Sequence, residues 1–597
     1  MSRDGSIDWL CLPRFDSPSC FGALLDEHEG GKWRIAPESD AVSITRAYRP
    51  NSLVLETLFE SPDGIVRLTD CLPFEKGSRP DAPREIHTQD VIVRVVDGLS
   101  GSVPMTMDFM PRFDYGHIVP WYTRHGDAIE AVGGPDALRL AADAPLDLEP
   151  GAATSGFVVD RGNCFRFLAR YHSSHMRAEH MDIECCHELI ERTDNFWREW
   201  THMCRDAGPY RDEVLRSLLT LKALTYSPTG GIVAAPTTSL PEAIGGVRNW
   251  DYRYCWLRDA TFTLDVLLEH GYTSEAREWR DWLQTAIAGD PDDLQIMYGV
   301  MGERRLVELE LDWLAGYEGS KPVRVGNAAV DQFQLDVHGE VMDSMHSARR
   351  AGIKTTTEAW DLEKAIIEHV CEHWREPDEG IWEVRSGRQH FVHSKVMAWI
   401  ALDRAVSAVD TFGLTGPVER WRKTRSQIKD EIMAKGVGRN GTCFVRAYGA
   451  DEMDASLLVL PLVGFIDATD ERMQSTIEII QKELMTKDGL VRRYDSDKAP
   501  DGLPPGEGMF LLCSFWLVDC LVLLGRRAEA EGIFDHLLSL RNDVGLLAEQ
   551  YDPLLGRQVG NFPQAFSHIA MATSARFLSE GPETVVPLRG GPATNRG

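Results

Sequence analysis

Apolar and polar residues alternate along the first third of the chain. Segments such as Ser43-Ile44-Thr45-Arg46-Ala47-Tyr48, Val91-Ile92-Val93-Arg94-Val95-Val96 and Cys164-Phe165-Arg166-Phe167-Leu168-Ala169 are short, alternating or β-branched, and Gly, Pro and Asp punctuate them. A period of two residues turns one face of a strand to a core. Many short strands with turn signals predict an antiparallel β-sandwich over residues 1–186.

The period changes near residue 187. Leu189, Ile190, Phe196, Trp197 and Trp200 fall at helical spacing, which predicts a linker helix within 187–208. Helical patterning then fills 209–582, and 583–597 reads as a tail. Twelve segments carry the pattern: 210–226, 257–271, 274–288, 329–351, 358–375, 393–410, 416–435, 454–463, 471–485, 507–525, 527–540 and 563–579. After every odd-numbered segment the connection is long, roughly 17 to 40 residues, and after every even-numbered one it is about one to seven. In an antiparallel helical array this alternation puts all the long loops at one end. Six hairpins with one elaborated end predict an (α/α)6 barrel. A helical solenoid is the alternative, but its hairpins would resemble one another in sequence, and these do not.

The 597 residues are too many for one ordinary core, in keeping with two domains. The chain is 43% hydrophobic and 26% charged, with a formal charge of −29. Such a surface disfavours nucleic acid and anionic membrane as partners, and no apolar run approaches a membrane span. Met1 leads directly into Ser2-Arg3-Asp4 with no leader pattern. Twelve scattered cysteines are then expected as reduced thiols in a cytoplasmic protein. There is no Walker loop, dinucleotide fingerprint, H-E-x-x-H or C-x-x-C spacing, so neither cofactor nor metal is expected. His393 and His568 lack partners at metal-ligand spacing and read as structural. Homo-oligomerisation is left open.

Two glutamates stand in long loops beside large aromatics. They are Glu383 in Asp378-Glu379-Gly380-Ile381-Trp382-Glu383-Val384-Arg385 and Glu549 in Leu547-Ala548-Glu549-Gln550-Tyr551-Asp552-Pro553. Carboxylates on opposite sides of one mouth suit acid/base cleavage of a sugar acetal. Residues 248–259 concentrate four aromatics, three arginines and two aspartates. That density fits sugar binding, where rings stack on C–H faces and Arg and Asp hold hydroxyls. It also fits an interface or buried ion-pair cluster.

Together, Trp250-Asp251-Tyr252-Arg253-Tyr254-Cys255-Trp256-Leu257-Arg258-Asp259-Ala260, Gly380-Ile381-Trp382-Glu383 and Ala548-Glu549-Gln550 resemble the glucoamylase and trehalase family of inverting glycoside hydrolases, family 15. Further matching stretches are His393-Ser394-Lys395-Val396-Met397-Ala398-Trp399, Gly506-Glu507-Gly508, Gly560-Asn561-Phe562-Pro563-Gln564-Ala565-Phe566-Ser567-His568 and, near the start, Asp4-Gly5-Ser6-Ile7-Asp8-Trp9-Leu10-Cys11. The resemblance implies an N-terminal antiparallel β-sandwich followed by an (α/α)6 barrel, with Glu383 as general acid and Glu549 as general base. It implies substrate binding by Arg258 and Asp259, by Tyr252 beside the developing cation, and by Arg493. Trp256 and Trp382 are the aromatic candidates for the same pocket. Glu507 is either a substrate-binding carboxylate or an acid opening the tenth helical segment. Trp382 and Ile381 are expected to desolvate Glu383 and raise its pKa, while more polar neighbours keep Glu549 ionised. Fungal glucoamylases carry a second Glu directly after the acid, where this chain has Val384; that departure counts against starch-type recognition.

The expected activity is exo-acting, inverting hydrolysis of an α-glucoside, with trehalose favoured and maltose- or isomaltose-type links as the alternative. A disaccharide phosphorylase would need a phosphate site rather than a second carboxylate, and a sugar-binding protein without catalysis would need neither glutamate.

Overall fold

The computed structural model describes residues 1–581 apart from 40, 76, 83–89, 177–180, 206 and 290–293. The expected tail, 583–597, lies outside the described residues.

Strand Val91–Met110 organises the N-terminal region. Its first half pairs with Gly64–Cys71 and Cys164–Ser173, and its second half pairs with Lys32–Pro37 and Ala152–Asp160, all antiparallel. One strand therefore serves two sheets. The change of partners falls between Gly98 and Gly101. Gly101 takes φ +70°, and a Cβ there would lie 2.0 Å from the Asp63 carbonyl oxygen. Val103, Met105, Met107 and Phe109 alternate inward and are fully buried. They meet Leu68, Leu140 and Phe167 of the other sheet in one core, the period-two burial that the alternation predicted.

Helix α1 (Cys186–His202) follows, with Leu189, Ile190, Phe196, Trp197 and Trp200 buried. Twelve further helices come after it among the described residues: α2 (Arg211–Ala223), α3 (Leu257–Glu269), α4 (Thr273–Ala286), α5 (Asp336–Arg350), α6 (Thr357–His373), α7 (Val392–Asp410), α8 (Val418–Lys435), α9 (Val459–Leu462), α10 (Glu471–Glu483), α11 (Leu511–Leu523), α12 (Arg527–Ser539) and α13 (Ala565–Glu580). Helices α3, α5, α7, α9, α11 and α13 each touch the next, and α13 touches α3, so their contacts close a cycle. Of the other six, α2, α4, α6, α8 and α12 each pack against members of the cycle, and α10 packs against the 3-10 turn Ala455–Leu458 that leads into α9. The sequences explain the division. Helix α11 is apolar all round except for Ser514 and Asp519, and it is buried on every side. Helix α8 buries one stripe, Trp421, Thr424, Ile428 and Ile432, the spacing of a helix with one wet face.

Three expected segments differ at their starts. The 329–351 segment is a 3-10 turn, Ala328–Asp331, followed by an extended link before α5. There the backbone pairs with the neighbouring loop: Leu335 N–H donates to Asp378 and Glu379 N–H to the Phe333 carbonyl. The 454–463 segment is a 3-10 turn, Ala455–Leu458, plus the single turn of α9, which contains Pro461 with no N–H to give. The 507–525 segment becomes helical only at Leu511. Gly506 has φ +115°, Gly508 N–H donates to the Glu242 carbonyl, and Met509–Phe510 pairs with Gln550 and Tyr551. Glu507 therefore opens no helix; it lies in the loop.

The long connections are 224–256, 287–335, 374–391, 436–458, 484–510 and 540–564; five line the pocket below, and 436–458 reaches it through Asp454, which accepts from Trp382. No helix among the described residues is long and apolar enough to cross a membrane.

Candidate active site

The segment rich in aromatics and charge splits its residues between two jobs. Strand Asn249–Asp251 pairs with Thr238–Pro241, and successive side chains there point to opposite faces. Trp250, Tyr252, Trp256, Arg258 and Asp259 line a polar pocket. Asp251 and Arg253 face away and are fully buried. Arg253 pairs with Asp251 at 2.7 Å and donates to the Ser17 carbonyl and the Tyr115 hydroxyl of the N-terminal domain. The segment thus supplies a buried ion pair, Asp251 with Arg253, and pocket-lining residues on either side of it, and the β domain braces the back of the site.

Glu383 and Glu549 line this one pocket. The Trp256 Nε1–H donates to Glu383 Oε1 at 2.9 Å, and the Tyr252 hydroxyl donates to Glu549 Oε1 at 2.7 Å. The Tyr252 and Trp256 rings meet edge to face with centroids 5.4 Å apart. A short aromatic bridge thus joins the two carboxylates and fixes one oxygen of each.

Glu383 sits in a tight turn. Its N–H donates to the Gly380 carbonyl, its carbonyl accepts from Gln332 Nε2, and its φ is +56°. A left-handed conformation at a non-glycine residue costs about 1–3 kcal/mol and is kept where surroundings fix it. Arg258 helps to fix it, donating to the Ile381 carbonyl at 2.8 Å and lying 3.8 Å from Glu383 Oε1. Val384 turns away into a small cluster with Phe391 and Ala447.

The burial of the two glutamates is the reverse of what their neighbours in sequence suggested. The Glu383 side chain is 22% exposed, whereas Glu549 is 2% exposed. Burial, and next the charge of Glu242, push the Glu549 pKa well above the usual carboxylate range, opposed by Tyr252 and Arg493. Polar neighbours in the chain did not keep Glu549 wet, because strand Gln550–Asp552 is paired on both sides, with Met509–Phe510 and Arg557–Val559. The Glu549 Oε2 atom has no hydrogen-bond partner among the described residues.

The other expected residues converge here too. Asp259 is buried beside Arg258, and burial raises its pKa to about 6. Trp382 donates from Nε1 to Asp454 at 2.8 Å. Arg493 lies over Trp382 and Phe510, forms a close ion pair with Glu507 and stands 3.6 Å from Glu242. Glu507 thus neutralises Arg493 at the pocket's edge. His568 accepts from the Leu547 N–H and packs against Ser217, while His393 lies 4.0 Å from Asp336; neither lines the pocket.

The structure adds residues that the sequence did not single out. Glu242 is buried and accepts from Trp250 Nε1 at 2.9 Å. Arg248 pairs with Asp501 at 2.8 Å. Arg385, Asn327 and Gln564 also line the pocket. Arg248 and Trp250 belong to the dense segment and could have been read from it; Glu242 and Asp501 carry no local signal. A larger cavity of about 740 Å³ lies where the β domain meets the helices. Its walls, including Trp9, Phe15, Leu53, Phe74 and Trp197, are mainly apolar, and the carboxylate pair is elsewhere.

The model for glycosyl hydrolases family 15 matches residues 208–576, and the model for the trehalase-like N-terminal domain matches residues 1–145. A trehalase of Mycolicibacterium smegmatis is 39% identical over 591 residues, spanning 96% of this chain and 88% of its own. A trehalase of Thermoplasma acidophilum is 35% identical, spanning 97% of this chain and 98% of its own. A crystal structure of a bacterial glucoamylase complexed with acarbose superposes with a TM-score of 0.71 over 98% of this chain and 92% of that one; at 12% identity it speaks for the fold alone.

Proposed function

The chain belongs to glycosyl hydrolases family 15, and from that premise we propose that it is an exo-acting, inverting α,α-trehalase. It hydrolyses trehalose to two molecules of glucose. The cycle of six inner helices with six outside is read as an (α/α)6 barrel, and the two sheets sharing Val91–Met110 as a β-sandwich. The observation that carries the chemistry is the aromatic bridge, which holds Glu383 and Glu549 in one pocket by opposite ends.

Glu383 is assigned as the general acid. It protonates the glycosidic oxygen as the C–O bond breaks, so the departing glucose leaves neutral. Glu549 is assigned as the general base. Its Oε1 is held by Tyr252, and its unpartnered Oε2 takes a proton from the water that attacks the anomeric carbon on the opposite face. A base must be ionised, and the raised pKa of Glu549 makes it a stronger proton acceptor at the cost of a narrower acidic range. Tyr252 stands beside the positive charge that develops on the ring. Arg258 and Asp259 are assigned to the hydroxyls of the cleaved sugar at the closed end. Arg493 and Trp382 line the pocket with them, and Glu507 holds Arg493 in place from its edge.

Trehalose is favoured over maltose- or isomaltose-type links by the trehalases that match nearly end to end. A cytoplasmic site of action suits the twelve cysteines, none of them in a disulfide. The test is incubation of the pure protein with trehalose, maltose, isomaltose and maltotetraose, with and without phosphate. Glucose as the sole product from trehalose is expected. Glucose 1-phosphate formed only with phosphate would point to phosphorolysis.

A further inference from the structure

Two residues beyond the acid, the chain passes Arg385, whose guanidinium reaches the open side of the pocket with its side chain 34% exposed. Its main chain is locked. The Arg385 N–H donates to the Asp501 carbonyl at 2.7 Å. Gly502, with φ +89°, comes so close that a Cβ there would lie 2.7 Å from the Arg385 carbonyl carbon.

The guanidinium is placed as firmly. It lies 4.4 Å from the centroid of the Trp250 ring, which also meets Arg324 at 4.6 Å. Trp250 is anchored through Nε1 to Glu242. Glu308 ties the two arginines together, with Oε1 at 3.4 Å from Arg324 and Oε2 at 3.5 Å from Arg385. Arg385 is the more exposed arginine of this circuit, whereas Arg258 and Asp259 of the same pocket are buried.

A guanidinium carries five N–H donors in a plane. Among the described residues, the Arg385 side chain has one ion pair, to Glu308, and one ring contact, to Trp250. Most of its donors are therefore available at the mouth. A hexose beyond the scissile oxygen would offer hydroxyls to those donors, the kind of fixed polar group that pockets use to orient a ligand.

We propose that Arg385, held against Trp250, is the specificity-determining residue for the departing sugar, binding its hydroxyls and walling the pocket against longer chains. This rests on the assignment of Glu383 as the acid. Charge-assisted hydrogen bonds of this kind correspond to about 10–100-fold in kcat/KM once lost.

The test uses the full chain and two substrates. Trehalose needs a place for a departing glucose; α-glucosyl fluoride has no departing sugar. The readout is the ratio of kcat/KM on trehalose to kcat/KM on the fluoride, measured on the same sample, so that a general loss of folded protein cancels. Arg385→Ala is expected to lower the ratio at least tenfold and to raise the relative rate on maltotriose. Arg385→Lys, which keeps the charge but not the planar fork, falls between. Glu308→Gln, which loosens the guanidinium, is expected to lower the ratio less than Arg385→Ala. A ratio within threefold of wild type for Arg385→Ala overturns the proposal. A wild-type protein that cleaves the fluoride but not trehalose overturns the trehalase reading instead, and the same ratio is then taken with the disaccharide it does cleave.

Discussion

A Cβ placed on Gly560 would lie 2.7 Å from Oε2 of Glu549. Gly560 also adopts φ +80°, which a side chain disfavours. The space beside the proposed base is thus kept open by a residue without a side chain, and the oxygen that a side chain would meet has no hydrogen-bond partner among the described residues.

Gly560→Ala should push the Glu549 carboxylate out of line while leaving the domain folded. We expect kcat on trehalose to fall by at least tenfold, with a backbone cost of about 1–2 kcal/mol. Steady-state kinetics and thermal unfolding of the same variant check this. A variant with near wild-type kcat would mean that Glu549 does not need its present position.

Glu383→Gln and Glu549→Gln should each lower kcat on trehalose by roughly 10²–10⁴ or more with the fold intact. They should part company on α-glucosyl fluoride. Fluoride leaves with little help from an acid, so the Glu383 variant should be partly relieved. The Glu549 variant should not, because water still needs a base. Relief of the Glu549 variant instead would exchange the two assignments.

The stereochemical outcome follows from attack opposite the leaving oxygen. Trehalose should yield one β-glucose, from the attacked ring, and one α-glucose, whose anomeric carbon is untouched. Proton NMR within the first minutes, before mutarotation, should show equal amounts. α-Glucose alone would indicate retention and a different pair of residues.

The pH profile should report the burial of Glu549. Its pKa is raised, first by desolvation and next by Glu242, and the base works only when ionised. As pH falls, kcat/KM should therefore be lost above the ordinary carboxylate range. Glu242→Gln removes the neighbouring negative charge, which should move that loss to lower pH. An acid limb that stays put, or moves upward, would remove Glu242 from the account.

Arg94 tests the N-terminal domain. It is fully buried, pairs with Asp70 at 2.7 Å and donates to the Trp33 and Gly5 carbonyls. Arg94→Ala leaves a buried carboxylate and two carbonyls uncompensated, at about 3–5 kcal/mol. Calorimetry should show a lowered transition for this variant, since Arg94 ties Asp70 to the Trp33 and Gly5 carbonyls inside the domain.

What the sequence by itself determined was periodicity and local chemistry. The switch from a two-residue to a helical period near residue 187 marked the passage from sheets to helices, because burial repeats with the geometry of each element. The alternation of long and short connections pointed to loops gathered at one end, and five of the six long connections line one pocket. Glu383, Glu549 and, from the dense segment, Trp250, Tyr252, Trp256, Arg258 and Asp259 line it. Tertiary structure decided what depends on partners far along the chain. Glu507 looked like the start of a helix, but its neighbours give their backbone groups to Glu242 and to the strand after Glu549. Glu383, beside Trp382 and Ile381, looked like the drier glutamate. Glu549 is the drier one, because the strand following it is paired on both sides and Glu242 lies close by. A carboxylate's surroundings are set by what folds against it, and neither Glu242 nor Asp501 is near enough in sequence to announce itself.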